Sequence, residues 1–92
     1  MYKIKFIKSS REEMKNIFSY IYLDSPFVAI KVYNQILNTI SYLKDFKYLG
    51  VKFYGEYRKL VNSKHRFTII YKIDEENQTI MIVSIFKYKN TF

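Results

Sequence analysis

The chain has 92 residues, with 16 lysines and arginines against eight aspartates and glutamates, and so a net charge of +8. It contains no cysteine and one histidine, which excludes disulfides and thiolate metal sites and argues against a histidine-based metal site. A hydrophobic fraction of 49% with two glycines and one proline is typical of a compact fold. We therefore expect one domain over residues 1–92, without a metal or cofactor.

The positive charge indicates an anionic partner, either a nucleic acid or an acidic protein. The simpler alternative is that the charge serves solubility alone. No apolar run approaches the roughly 20 residues that a membrane span requires. Residues 1–8 alternate apolar and basic side chains, unlike the unbroken apolar core of a signal peptide. We therefore expect a cytoplasmic protein.

The first predicted element is a strand over residues 1–8, because Tyr2, Ile4 and Phe6 alternate with lysines. A helix is predicted to begin at the serines that follow. Glu12 and Glu13 lie three residues after Ser9 and Ser10, so either pair can form a capping box. The helix carries one apolar stripe, formed by Met14, Ile17, Phe18, Ile21 and Tyr22.

This first helix is predicted to end near Asp24, because Pro26 disfavours helical geometry at Ser25. The same pair suits a new start, with serine as the N-cap and proline at the first helical position. The second helix is expected to run to about Asp45 or Phe46. Its stripe comprises Ala29, Val32, Tyr33, Ile36, Ile40 and Leu43. Two amphipathic helices with so short a link predict an antiparallel hairpin.

The stretch from Lys47 to Glu56 is predicted to be a connection punctuated by Gly50 and Gly55. Its aromatic residues are expected to pack against the core. The alternative is that they stay exposed and form a stacking platform for bases.

Three apolar runs rich in β-branched and aromatic residues follow: Tyr57–Val61, Arg66–Ile73 and Thr79–Phe86. Polar breaks separate them, which predicts a short antiparallel meander. On the middle run one face is apolar and needs a cover: Phe67, Ile69, Tyr71 and Ile73. The other face, with Thr68, Ile70 and Lys72, is mixed and charged. The order β-α-α-β-β-β predicts an α+β fold in which the N-terminal helical hairpin covers one face of an antiparallel sheet.

Three stretches, in this order and spacing, resemble the RelE/ParE superfamily of bacterial type II toxin–antitoxin toxins. They are Tyr20–Pro26 with the helix after it, Leu43–Gly50, and Tyr57–Leu60 together with Arg66–Asp74. The resemblance covers nearly the whole chain. It implies a toxin that a co-expressed antitoxin holds inactive in a hetero-oligomeric complex.

The superfamily divides by target. RelE-like members cut mRNA on the ribosome, whereas ParE-like members poison DNA gyrase and lack the nuclease residues. The arginine that RelE-like toxins carry after the last strand is absent here, where the sequence reads Phe86-Lys-Tyr-Lys89, and the histidine common there is also missing. We therefore favour a ParE-like inhibitor of DNA gyrase. A RelE-like ribosome-dependent mRNA endonuclease and an inactive module that only binds an antitoxin stay open as alternatives.

RNA cleavage by the 2′-hydroxyl requires a proton acceptor, help for the leaving oxygen and cations for the phosphate. If the chain is RelE-like and hence a ribonuclease, the candidates are Lys64, Arg66, Lys87 and Tyr88. Lysine can screen phosphate but lacks the bidentate fork of arginine. The expected target contacts, for gyrase or for the ribosome with its mRNA, are Arg58, Lys64, Arg66, Lys87 and Lys89.

Structural interpretations compete with these roles. Arg58 can pair with Glu56 or an aromatic face, His65 can be a solvated turn residue, and Tyr71 lies in the register of the core. For the antitoxin, an acidic tail that folds on binding suits a basic toxin. Its expected contacts are apolar positions that stay exposed in the isolated chain: Phe27, Val28 and Tyr42.

Overall fold

The structure is a computed structural model that describes residues 1–87. Its elements are β1 (Lys3–Phe6), α1 (Lys8–Asp24), α2 (Pro26–Ser41), a 3₁₀ turn (Tyr42–Lys44), β2 (Val51–Tyr54), β3 (Tyr57–Asn62), β4 (Phe67–Asp74) and β5 (Thr79–Lys87). The predicted α+β class is confirmed. One strand was not predicted, because β2 lies inside the stretch that the sequence indicated as a connection.

The five strands form one sheet in the order β1-β5-β4-β3-β2. Strands β3 to β5 form the predicted antiparallel meander, and the unpredicted β2 extends it by pairing antiparallel with β3. Strand β1 lies parallel to β5, with Lys3 opposite Thr79 and Phe6 opposite Ile82, so the sheet is mixed rather than wholly antiparallel. The parallel pair arises because the chain leaves β1 through the helical hairpin and the last strand returns beside the first.

Helix α1 begins at Lys8 with Ile7 as its N-cap and no side-chain cap, so the predicted capping box at the serines is wrong. The predicted cap residues lie inside the helix and contact β5 instead. Ser10 Oγ donates to the Ile82 carbonyl at 2.6 Å, and the Glu13 carboxylate accepts from the Ile85 amide at 3.0 Å. Ser10 binds β5 at Ile82, the last residue that pairs with β1, and Glu13 binds it three residues further on.

The junction between the helices follows the prediction. Ser25 is the N-cap of α2 and its side chain accepts from the Val28 amide at 3.3 Å, while Pro26 is the first helical residue. The α-helix ends at Ser41, earlier than expected, and a 3₁₀ turn extends it to Lys44.

The core lies between the helical hairpin and one face of the sheet. It comprises Met14, Val32, Ile36, Ile40, Leu43, Phe67, Ile69, Tyr71, Ile80, Ile82 and Ile85. Burying one aliphatic or aromatic side chain of this kind stabilises the fold by roughly 1.5–3 kcal/mol relative to leaving it exposed. The hydroxyl of the buried Tyr71 donates to the Lys47 carbonyl at 2.7 Å and accepts from the Gly50 amide at 2.8 Å. Burial raises the pKa of this hydroxyl.

The opposite face of β4 is less exposed than its mixed composition suggested. Thr68 and Ile70 are buried and Lys72 is half-buried. In the ladder Ile70 lies between Lys59 and Ser84, so side chains of neighbouring strands share its face. On this face of β4 a partner can therefore reach Lys72 but not Thr68 or Ile70.

Candidate functional site

Arg58 makes structural contacts of the kind that the sequence offered as the alternative to target binding. It lies opposite Tyr71 in the ladder, on the face that the helices cover. Its guanidinium donates to the Gly50 carbonyl at 2.7 Å and lies 4.8 Å from the centroid of the Tyr48 ring. Glu56, the other predicted partner, instead lies 3.7 Å from the Lys72 ammonium. Arg58 thus holds the connection that precedes β2.

The turn between β3 and β4 is shaped by a residue that the sequence interpretation missed. Asn62 Oδ1 accepts from the His65 amide at 3.0 Å, and Asn62 Nδ2 donates to Thr39 Oγ1 at 3.3 Å. The first bond closes the turn over three residues, and the second ties the turn to α2. Arg66 closes the turn with a φ of 61°, a left-handed backbone that non-glycine residues seldom adopt. An asparagine at the end of a strand pattern was the available signal.

Three of the predicted basic residues gather at this turn. The Lys87 ammonium donates to the His65 carbonyl at 2.7 Å, which brings the end of β5 to the turn. Burial, and then the charge of Arg66, lower the pKa of Lys87. Lys64 is exposed on the same turn. We call Lys64, His65, Arg66 and Lys87 the basic turn.

The basic turn suits an anionic group, because the end of β5 brings Lys87 to the turn that carries Lys64 and Arg66. His65 contributes its backbone carbonyl and amide to the hydrogen bonds of the turn. Arg58 is not part of the turn, since it lies at the other end of β3, about 13 Å along the strand from Asn62. The remaining candidates, Tyr88 as a catalytic residue and Lys89 as a target contact, lie outside the described residues.

Within residues 1–87, no group of three or more histidine, aspartate or glutamate side chains could hold a metal ion. Across the same residues, neither helix has the length and apolar character needed to cross a membrane.

The predicted antitoxin contacts are exposed, as expected, but they lie at two ends of one helix. Phe27 and Val28 begin α2, and Tyr42 follows its end. At 1.5 Å of rise per residue, Phe27 and Tyr42 are about 22 Å apart along the helix axis. A partner that contacts all three must therefore extend along the whole of α2.

Between the helices and β1 lies a cavity of about 620 Å³, which we call the hairpin groove. Its lining residues are Phe6, Arg11, Met14, Lys15, Phe18, Tyr33 and Leu37. The floor is apolar, and Arg11 and Lys15 lie one turn apart on α1. Arg11 also donates to the Phe6 carbonyl at 2.8 Å. Met14, Phe18 and Tyr33 belong to the apolar stripes that were predicted to pack in the core. They also line this open groove, which carries two cations.

The aromatic residues of the connection are exposed, so the prediction that they pack against the core is wrong. The exposed aromatic side chains are Phe46, Tyr48, Phe53 and Tyr54, and the aliphatic Leu49 and Val51 between them are also exposed. Cations lie against several rings: the Lys47 ammonium is 5.3 Å from the Tyr48 ring centroid, and that of Lys59 is 4.9 Å from Phe53. Cations of the chain itself therefore already cover part of the Tyr48 and Phe53 ring faces on which a base would stack.

A polar network at the same end of the sheet fixes this connection. Tyr2 and Tyr48 each donate a hydroxyl to the Glu75 carboxylate, at 2.8 and 3.1 Å. The Lys47 ammonium donates to the Tyr2 hydroxyl at 2.8 Å and lies 3.4 Å from Glu75. These contacts, led by the hydrogen bonds with Tyr2, raise the pKa of Lys47 and lower the pKa of Glu75.

Comparison with known proteins places this arrangement in a family. The family model for the ParE toxin of the type II toxin–antitoxin system parDE matches residues 4–92. No sequence among the curated proteins matches significantly.

Solved structures share the fold at low sequence identity. A chromosomal ParDE toxin–antitoxin system from P. aeruginosa is 18% identical with a TM-score of 0.79, over 97% of this chain and 98% of that one. The isolated E. coli RelE toxin is 11% identical with a TM-score of 0.71, over 99% and 88% of the two chains. The intact E. coli RelBE complex gives 11% identity and a TM-score of 0.68, over 98% and 100%.

Proposed function

The chain belongs to the ParE toxin family of type II toxin–antitoxin systems, and from this we propose that it inhibits DNA gyrase and is neutralised by a cognate antitoxin. The observation that carries the proposal is the match of the ParE family model over nearly the whole chain. The fold alone does not choose the target, because ParE and RelE toxins share it. Gyrase works in the cytoplasm, so the proposed site of action is there, and growth inhibition is the expected consequence.

The basic turn is the proposed contact with the target. Lys64 and Arg66 are exposed on the turn, Lys87 of β5 binds its His65 carbonyl, and the Asn62 side chain bonds to the His65 amide. Charge of this kind steers an encounter with an acidic surface and fixes its orientation. In this proposal Arg58 acts indirectly. Its guanidinium donates to the Gly50 carbonyl and so holds the connection before β2 in place. Lys89 is retained as a predicted contact.

The antitoxin is proposed to lie along α2 and the hairpin groove. Phe27, Val28 and Tyr42 mark the two ends of this path, and the groove lies beside the helix between them. An amphipathic segment would bury its apolar side chains in the groove and set acidic ones against Arg11 and Lys15. A partner with these features matches the +8 charge of the chain.

A gyrase supercoiling assay with the purified chain tests the target. We expect inhibition by the wild type, a clear loss of inhibition in the double variant Lys64→Ala, Arg66→Ala, and wild-type inhibition in Lys3→Ala, which removes an exposed lysine on β1. Full supercoiling activity in the presence of the wild-type chain would contradict the proposal.

A RelE-like endonuclease is the second candidate, favoured by one observation. Lys87 has a lowered pKa and lies beside Arg66, an arrangement that makes a lysine a better proton donor to a leaving oxygen. The discriminating measurement is mRNA integrity in a translating extract with the chain added. Cut mRNA together with unaffected gyrase would replace the first proposal by this one. Intact mRNA and active gyrase would leave the inactive antitoxin-binding module.

A further inference from the structure

Strand β1 lies at an edge of the sheet and has backbone groups that the sheet does not use. It pairs with β5 on one side, and no strand of the sheet lies on its other side. The Lys3 amide donates to the Gln78 carbonyl at 2.9 Å, and the Ile7 amide likewise donates to β5 at 3.2 Å. Because successive residues of a strand direct their backbone groups to opposite sides, Ile4 and Phe6 direct theirs away from β5.

The side chain of Arg11 covers one of these outward groups. Its guanidinium donates to the Phe6 carbonyl at 2.8 Å. Among the residues that the structure describes, the Phe6 amide and both backbone groups of Ile4 have no hydrogen-bond partner. The side chains of Ile4 and Phe6 pack against the core, so these groups belong to a strand that is held in place. A strand edge of this kind is a template for a further strand.

This open edge is continuous with the hairpin groove. Phe6 and Arg11 line the groove and also form the covered end of the edge. The outward groups of Ile4 lie two residues before Phe6, about 7 Å along the strand. A segment that leaves the groove at Phe6 in an extended conformation therefore lies directly beside the unused backbone groups.

Arg11 determines which kind of chain can use the edge. A strand that pairs here donates a backbone amide to the Phe6 carbonyl in place of the guanidinium, so Arg11 needs another acceptor. A carboxylate is the better acceptor, because hydrogen bonds between charged groups are about twice as strong as neutral ones. The edge of a second copy does not supply one, since Lys3–Phe6 contains no acidic residue and each copy carries a charge of +8.

We propose that an acidic, extended segment of the antitoxin adds to the sheet as a sixth strand beside β1, with one of its carboxylates on the Arg11 guanidinium. The identity of this partner rests on the proposed function. The added strand extends the proposed path along α2 and the hairpin groove, and it is recognised through its backbone. Backbone pairing does not require the side chains of Lys3 and Lys5, which alternate with the core-facing Ile4 and Phe6 and so lie on the other face of the sheet.

Amide hydrogen exchange detects the added strand directly. It is followed by NMR in the chain alone and in the complex with its cognate antitoxin. In the chain alone we expect slow exchange at Lys5, whose amide faces β5, and fast exchange at Ile4 and Phe6. The antitoxin should slow the exchange of Ile4 and Phe6 by roughly tenfold or more. An occupant confined to the hairpin groove would leave Ile4 unchanged, because Ile4 does not line the groove.

A matched pair of substitutions, Ile4→Pro and Ile4→Ala, tests the same contact. Both remove the isoleucine side chain, but only proline also removes the outward amide. Proline is tolerated on an edge strand where the amide faces solvent, so the two variants should melt at similar temperatures. In calorimetric titration, Ile4→Pro should bind the antitoxin roughly tenfold or more weakly than Ile4→Ala.

The proposal is overturned by unchanged exchange at Ile4 in the complex, by equal affinities of the two variants, or by an antitoxin that does not bind the wild type. If circular dichroism shows that Ile4→Pro does not fold, the exchange measurement on the wild type decides alone. Gyrase inhibition is measured without antitoxin. A negative gyrase assay together with slowed exchange at Ile4 in the complex would therefore remove the proposed target and leave the added strand in place.

Discussion

Gly50 and Tyr71 lie in direct contact where the connection enters the sheet. The Gly50 amide donates to the Tyr71 hydroxyl at 2.8 Å, and a Cβ on Gly50 would lie 2.8 Å from a ring carbon of Tyr71 and 3.0 Å from the Lys59 carbonyl oxygen. The Gly50 carbonyl in turn accepts from Arg58. Close packing therefore requires glycine at position 50. Through its amide and carbonyl, Gly50 links the core residue Tyr71 to Arg58 and to the connection.

Gly50→Ala should accordingly destabilise the protein by about 1–3 kcal/mol, the usual cost of forcing an extra methyl group into a packed site. The tyrosine ring cannot move away without breaking its bond to the Lys47 carbonyl. Urea denaturation followed by circular dichroism measures the free energy of unfolding. Lys52→Ala, an exposed residue of β2, is the control and should change it by less than about 0.5 kcal/mol. An equal effect of both substitutions would contradict the packing argument.

Asn62→Ala should weaken the proposed target contact without removing any charge. It breaks the bond to the His65 amide and the bond to Thr39, so the basic turn loses its support and Arg66 its fixed backbone geometry. We expect reduced gyrase inhibition and a loss of about 1 kcal/mol in the free energy of unfolding. Asn77→Ala, which removes the bond from Asn77 Nδ2 to the Asp74 carboxylate in the turn between β4 and β5, should lower stability but leave inhibition unchanged. Normal inhibition by Asn62→Ala would show that the shape of the turn is unimportant.

Local signals in the sequence predicted local structure well. The Ser25–Pro26 junction is fixed by contacts within four residues, so its capping chemistry can be read directly from the chain. The period-2 alternation likewise predicted that Phe67, Ile69 and Tyr71 share the buried face. The parallel pairing of β1 with β5 joins residues 76 positions apart, and no short-range pattern encodes it.

The errors arose where one residue type serves two purposes. Serine followed by glutamate is the pattern of a helix cap, but Ser10 and Glu13 use the same polar atoms to bind the backbone of β5. The aromatic residues of the connection suggested burial, but Tyr48 is instead held on the surface by Arg58 and Glu75. Of the candidate site, the sequence predicted Lys64, Arg66 and Lys87 but not Asn62, whose role depends on a contact with α2.

Glu75 should make stability depend on pH in the acidic range. Its pKa in the folded protein lies below the ordinary value of 4.5, mainly because the Tyr2 and Tyr48 hydroxyls donate to the carboxylate. A lowered pKa contributes stability that is present above the ordinary pKa and is lost as pH falls through the folded value. We therefore expect Glu75→Gln to flatten the dependence of the melting temperature on pH below about 4.5. Glu76→Gln, a neighbouring exposed carboxylate, is the control, and an identical flattening there would contradict the assignment to Glu75.

The hairpin groove should distinguish antitoxin binding from target binding. Reversing the charge of Arg11 and Lys15 leaves the apolar floor in place but sets repulsion against an acidic segment, and the basic turn is built from other elements. The double variant Arg11→Glu, Lys15→Glu should bind its cognate antitoxin at least tenfold more weakly, equivalent to about 1.4 kcal/mol, while still inhibiting gyrase. Lys3→Glu with Lys5→Glu makes the same change of charge on β1 and is the control. Calorimetric titration at two salt concentrations measures the affinity of each variant for the antitoxin. The affinity of the wild type should fall more steeply with salt than the affinity of the Arg11, Lys15 double variant. Equal losses in both double variants would mean that overall charge, rather than the groove, determines antitoxin binding.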